Sequence, residues 1–177
     1  MAEPGSGLAA TAARADQSDA RLRVLFDQLK QAPDRGAARV VEAAIWNIWG
    51  QVEDRATGIL LGQGTAAMGR GDLRAALGKF DQIVAIAPAF AEGWNKRATV
   101  HYLLGNFEKS LTDIDETLAL EPRHFGALSG RGLVYMQLDE EDLALDSFEA
   151  ALDVYPLATG ARQNAKILRG RLGRRDI

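Results

Sequence analysis

The feature that most constrains this chain is a spacing. Pro88, Pro122 and Pro156 stand 34 residues apart, and three further sets keep the same step: Gly64, Ala98 and Gly132; Ala76, Ser110 and Ala144; Phe80, Ile114 and Phe148. A fixed period of this length marks stacked supersecondary units, each unable to bury its apolar face alone. The physical roles follow from residue size. Gly64, Ala98 and Gly132 are placed where the two helices of a unit cross, with Ala76, Ser110 and Ala144 opposite them. Phe80, Ile114 and Phe148 are expected to fill the space between neighbouring units. Gly71 and Gly105 permit the left-handed conformation that ends a helix, and Asp72 and Asn106 are candidate caps of the next one. Asp139 stands at the third glycine position, where the turn is expected to be most strained.

Composition narrows the function classes. At 177 residues the chain can bury a core without staples. It has no cysteine, which removes disulfides, thiolate nucleophiles and cysteine-based zinc sites together. A formal charge of −3 does not suit a phosphate backbone, so nucleic acid is disfavoured as a partner. No apolar run approaches the roughly 20 residues of a membrane span. The first 20 residues lack a basic start followed by an apolar stretch, so a cytoplasmic protein is expected, or a periplasmic one if an export signal has been removed.

Along the chain, residues 1–17 carry few large apolar side chains and read as a flexible arm. Residues 18–56 read as an irregular helical hairpin. Ser18 or Asp19 caps a first helix with Leu22, Leu25, Phe26 and Leu29 at helical spacing, stopping near Pro33. A second helix, about 34–53, presents Val41, Ala44, Ile45, Ile48 and Trp49 on one face with Trp46 to one side. Being aperiodic, this hairpin is expected to be an end unit with one face to solvent. Residues 57–156 hold three units, 57–90, 91–124 and 125–158. Residues 157–177 form a basic cap helix, about 158–172, whose Arg162, Lys166, Arg169, Arg171, Arg174 and Arg175 face only Asp176.

Each unit resembles a tetratricopeptide repeat, whose pattern is W-x2-L-G-x2-Y, then A-x3-F, then P. The middle unit has Trp94, Ala98, Ser110, Ile114 and Pro122 at those places, with Arg97 and His101 departing from Leu and Tyr. The third has Gly132, Tyr135, Ala144, Phe148 and Pro156, with Arg131 for Leu; the first has Gly64, Ala76, Phe80 and Pro88, with Leu60 and Ala67 for the two aromatics. The run Trp94-Asn95-Lys96-Arg97-Ala98 is similar to small bacterial members of the family. The resemblance implies an all-α fold, a right-handed α-solenoid of helix hairpins, and a non-catalytic scaffold that binds a partner peptide or helix in its concave groove. By the same resemblance the groove residues are Leu61, Thr65, Met68, Glu92, Asn95, Thr99, Tyr102, Ser129, Leu133 and Met136. Their mixed apolar and polar character suits a peptide, with Met side chains adapting to it. Alternatively the C-terminal helix folds into that groove. Members that grip a chaperone's terminal carboxylate use a Lys, Asn and Arg set; only Asn95 is so placed, which rejects that subclass.

Other candidates are weaker. Arg97 and Arg131, with Gln63 before them, form either an anion-binding ladder or a structural variant whose stems pack. His101 and His124 have no evident partner at ligand spacing. The acidic run 139–142 lacks the pattern of a calcium loop, and Gly62-Gln63-Gly64 follows no strand. No metal, cofactor, small-molecule substrate or catalytic constellation is expected. Two other functions remain open: self-association or docking through the end faces, with Trp46 exposed there, and electrostatic docking to nucleic acid or anionic membrane through the basic helix.

Overall fold

The computed structural model describes residues 19–52 and 54–173, and among them nine helices and no strand. The helices are α1 (Ala20–Lys30), α2 (Arg35–Trp49), α3 (Arg55–Gly69), α4 (Leu73–Ile86), α5 (Ala91–Leu103), α6 (Phe107–Leu120), α7 (Phe125–Gln137), α8 (Glu141–Val154) and α9 (Thr159–Arg171). The arm at 1–17, the alternative cap Ser18, and Arg174, Arg175 and Asp176 lie outside the described residues.

The starts of α1, α2, α3 and α4 are set by short acidic side chains. Asp19, Asp34, Asp54 and Asp72 each accept the N–H of a residue in the first turn, from Arg21, Ala37, Thr57 and Ala75 respectively. Thr57 donates to Asp54 through both its hydroxyl and its N–H, which holds that carboxyl below its usual range. Asn106 makes no side-chain cap bond, contrary to the expectation for it. At the turns inside the units Gly71 and Gly105 adopt φ of 77° and 75°, and Asp139 is the non-glycine residue held at positive φ, 59°. Helix α2 stops at Trp49, short of the expected end, with Gly50 as its C-cap.

Three antiparallel pairs follow, α3 with α4, α5 with α6 and α7 with α8, and α4 meets α5 as α6 meets α7. The small-residue positions explain the pairing. A Cβ placed on Gly64 would lie 2.6 Å from the Phe80 ring, and one on Gly132 would lie 2.7 Å from the Phe148 ring. These phenyl rings therefore sit over the glycine of their own unit, while Phe80, Ile114 and Phe148 also share a core with residues of the element that follows, Val100, Ala127 and Leu168 respectively. In the middle unit both partners change together: alanine replaces glycine at 98 and the smaller isoleucine replaces phenylalanine at 114. Ser110 adds a hydroxyl that donates to the Ala98 carbonyl at 2.9 Å.

Between units, Arg97 reaches Asp81 at 2.9 Å, Arg131 pairs with Asp115, and Arg169 reaches Glu149 at 3.1 Å. The acidic partners are themselves 34 apart. Arg97 also holds the buried Asp113 with two bonds of 2.8 and 2.7 Å. The two guanidinium groups are thus matched to carboxylates of this chain, so the anion-ladder reading is replaced by a structural one. Exposed pairs of this kind contribute little each; the bidentate Arg97–Asp113 pair lies within the middle unit and fixes the guanidinium that reaches Asp81.

Helix α9 packs on α8 as the cap of the array, through Ala161, Ala165 and Leu168. Its N-terminal half borders one end of the inner side through Thr159 and Asn164. The N-terminal hairpin is not a stacked end unit. Its core residues Leu22, Phe26, Leu29, Ile45, Ile48 and Trp49 cluster with Phe125 and Tyr155 of the third unit, although the chain joins the hairpin to the first. The reason is chemical. The hairpin's tryptophans, which also pack on each other and on Phe26, reach Phe125 at that distant junction.

The glycine–phenyl fit yields a test. Gly132→Ala is expected to cost ~1–3 kcal/mol by overpacking, and Phe148→Ile in the same chain, which copies the Ala98/Ile114 pairing, should restore most of it. Urea unfolding followed by circular dichroism measures both; independent, additive costs would mean that the two residues do not share one space.

Candidate functional site

Helices α3, α5 and α7 neighbour one another and form the inner layer of the array. On it, Asn95, Thr99, Tyr102, Ser129 and Leu133 come together around a cleft of ≈ 190 Å³, floored by Ala98, Ser110 and Ile114. The lining is largely apolar, with hydroxyl and amide groups at its edges. Tyr102 packs on Phe107 with ring centroids 6.0 Å apart, while Leu133 is 37% exposed at the mouth. Leu61, Thr65, Met68 and Met136 line neither this cleft nor the one described below. Leu61 and Met68 pack on the first unit's core and Met136 on the third's, and Thr65 is exposed.

Glu92 is not an open groove residue. It is 4% exposed, and its carboxylate accepts from Asn95 Nδ2 at 2.8 Å, pairs with Lys96 at 3.1 Å and lies 3.2 Å from His124 Nε2. His124 is fully buried, and its Nδ1 accepts the Ala127 N–H at 3.0 Å, capping α7. That bond leaves Nδ1 without a proton, so Nε2–H donates to Glu92. Burial works against the Glu92 carboxylate, but the His124 hydrogen bond, the Lys96 charge and the Asn95 amide outweigh it and hold its pKa below the ordinary value.

What covers this cluster is α2. The Trp49 ring stacks on His124 at 4.1 Å with the planes 8° apart, and Trp46 meets His124 and Phe125 edge-on, both at 5.4 Å. Lys96 Nζ lies 5.9 Å from the centre of the Trp46 ring. A Cβ on Gly126 would lie 2.7 Å from that ring, so the glycine is the slot that admits it. Trp46 is therefore half-buried on the concave side, not exposed on an end face. At the other end of α2, Tyr155 donates to Glu42 at 3.1 Å. Burial and the Glu42 carboxylate raise the Tyr155 pKa.

Beside α2 a second cleft of ≈ 370 Å³ opens between Arg39, Glu42 and Trp46 on one wall and Thr159 and Asn164 of α9 on the other. Gly126, Ser129 and Leu133 line both clefts, which makes them one interrupted channel. Sequence reasoning missed Trp46 and Gly126 as its wall, and Trp49 and His124 as the buried stack behind it. A signal existed: Gly126 stands one period after Glu92, on a helix face with no turn to require glycine.

The remaining candidates have structural surroundings. His101 is buried with Nδ1 unpaired and Nε2 3.9 Å from Asp113, and burial lowers its pKa. On α9, Arg169 and Arg171 are engaged by Glu149 and Glu141. Among the described residues no cluster of His, Cys, Asp or Glu could hold a metal, and no helix is long and apolar enough to cross a membrane.

Comparison with known proteins bears on the whole array. A family model described as tetratricopeptide repeat matches residues 61–115 and 104–161. A TPR repeat-containing protein of Rhizobium etli is 35% identical over 152 residues, which is 86% of this chain and 74% of that protein. Among solved structures, the crystal structure of MamA superposes with a TM-score of 0.65 at 20% identity, covering 90% of this chain and 86% of that one. The first TPR of Spaghetti (RPAP3), bound to the HSP90 peptide SRMEEVD, superposes with a TM-score of 0.66 at 19% identity over 68% of this chain and 96% of that one. At these identities the two structures speak for the fold alone.

The Glu92 cluster predicts an acid-dependent loss of stability. Because its folded-state pKa is depressed, the carboxylate's contribution is complete above the ordinary value of 4.5 and declines as pH falls through the lower folded value. At pH 7 Glu92→Gln should be less stable than wild type by ~1–3 kcal/mol in urea titrations. The gap should shrink with acidification below the carboxylate range; a gap independent of pH would show that the cluster does not favour the charged form.

Proposed function

The chain belongs to the tetratricopeptide repeat family, and from that premise we propose that it is a non-catalytic scaffold that binds a peptide segment or helix of a partner protein on its concave side. The observation that carries this reading is the cleft of ≈ 190 Å³ on the inner layer, where Leu133 stays 37% exposed among hydroxyl and amide groups. An apolar side chain of a partner buries surface against Leu133, Tyr102 and Ala98. Asn95, Thr99 and Ser129 supply hydrogen bonds that fix its backbone or polar groups. Support of a general kind comes from relatives in fold, since solved neighbours include TPR domains of RPAP3 in complex with HSP90 or HSP70 peptides. The partner here need not carry that motif: of the carboxylate-gripping set only Asn95 is present, and it is bonded to Glu92.

Both histidines support the non-catalytic reading, being buried and held for packing and capping. The acidic run 139–142 belongs to a turn and the start of α8.

The test is selection of binders from a displayed library of random peptides about 15 residues long, followed by affinity measurement on wild type and Leu133→Asp. Because Leu133 is exposed at the cleft mouth, the substitution should leave helical content unchanged and lower peptide affinity at least about tenfold, near 1.4 kcal/mol. Enriched peptides that bind Leu133→Asp as tightly as wild type would place the partner elsewhere.

A further inference from the structure

The seat that α2 occupies has the features of a ligand site. Gly126 opens a slot for the Trp46 ring, His124 offers a flat face to Trp49, and Tyr155 offers a hydroxyl to Glu42. Three contacts at positions 42, 46 and 49 fall on one face of one helix, spaced i, i+4 and i+7. This is how an amphipathic helix is read by a groove. Yet the occupant fits imperfectly. Trp49 is 2% exposed and its indole N–H is buried with no acceptor, a desolvated donor that a different aromatic or aliphatic side chain would not bring.

The hairpin is also built to leave as a body. Leu22, Phe26 and Leu29 of α1 share one core with Ile45, Ile48 and Trp49 of α2, and that core also takes in Phe125 and Tyr155 of the array, so α1 and α2 leave the seat together or not at all. A foothold for a competitor already exists in the ≈ 370 Å³ cleft along α2, walled by Arg39, Glu42 and Trp46.

We infer that this seat is a helix-binding site held by the chain's own α2, and that a partner enters it by displacing the N-terminal hairpin. The fitting partner is an amphipathic helix with an acidic residue followed four and seven positions later by aromatic residues. The inference rests on the concave side being the partner-binding surface, and it adds which part of that surface is closed at rest and by what.

The test uses the full chain and a fluorescein-labelled synthetic peptide of residues 34–52 as probe. Trp46→Ala/Trp49→Ala loosens the resident helix, so this variant should bind the probe at least about tenfold more tightly than wild type in fluorescence anisotropy. A probe with both tryptophans replaced by alanine should bind neither protein. Trp46→Ala alone serves if the double variant loses helical signal. Gly126→Ala closes the slot and should abolish probe binding even though it also disturbs α2.

Equal affinity of wild type and the tryptophan variant, tight binding of the alanine probe, or probe binding retained in Gly126→Ala would each overturn the inference. Light scattering decides the identity of the competitor: wild type that pairs by exchanging hairpins between copies would overturn the partner in favour of a second chain. Failure of the random-peptide selection with the probe still bound would sink the open-cleft reading and leave the seat standing. The converse would sink the seat alone.

Discussion

The first and third units of this array depend on two helices approaching closely enough for a phenyl ring to lie on a backbone with no side chain. At Gly64 and Gly132 the space is so limited that a single methyl would collide with Phe80 or Phe148. Packed interiors do not tolerate such volume errors, so the ring and the glycine must change together, as they do in the Ala98/Ile114 unit. The consequences spread outward from that contact. It sets the distance between the paired helices, which sets where the next pair stacks, which in turn sets the curvature of α3, α5 and α7 and the cleft between Asn95 and Leu133.

A second, aperiodic constraint acts on top of the periodic one. The hairpin is joined to the first unit but docks on the third, so α2 and the segment after it cross the inner side of the array. Arg39 and Glu42 stand beside the start of α9, Trp46 and Trp49 beside the starts of α7 and α5, and Val52 packs on the first unit's core. A strap of this kind limits the independent motion that nearest-neighbour stacking leaves to a repeat array. It also divides the inner surface into a part that is open and a part that is filled.

The charged groups follow the same division. Repeating acids at 81, 115 and 149 bind the arginines between units. They are mostly exposed and set register more than stability. Glu92 and His124 occur once, are buried under the strap, and share one hydrogen bond, donated by His124 Nε2, in a low-dielectric setting where its loss is costly. The polar group with most influence on the site is therefore one with no equivalent in the other units: position 58 and position 126, one period to either side of Glu92, are both glycine.

What a repeat imposes is readable along the chain: the period, the crossing glycines and the turns at Gly71, Gly105 and Asp139, while of the ten groove residues implied by resemblance, Asn95, Thr99, Tyr102, Ser129 and Leu133 line one cleft. Such features recur, and recurrence at fixed spacing is visible along a chain because each unit touches only its neighbours. The ion-pair ladder was equally legible in the 34-residue step of its acids, had they been aligned. The place of the hairpin, the closing off of Glu92 and the inward face of Trp46 emerge only when the chain is folded. The physical reason is separation. The contact between Glu42 and Tyr155 joins residues 113 positions apart, it occurs once, and no spacing in a single chain distinguishes an aromatic helix that ends an array from one that folds back across it.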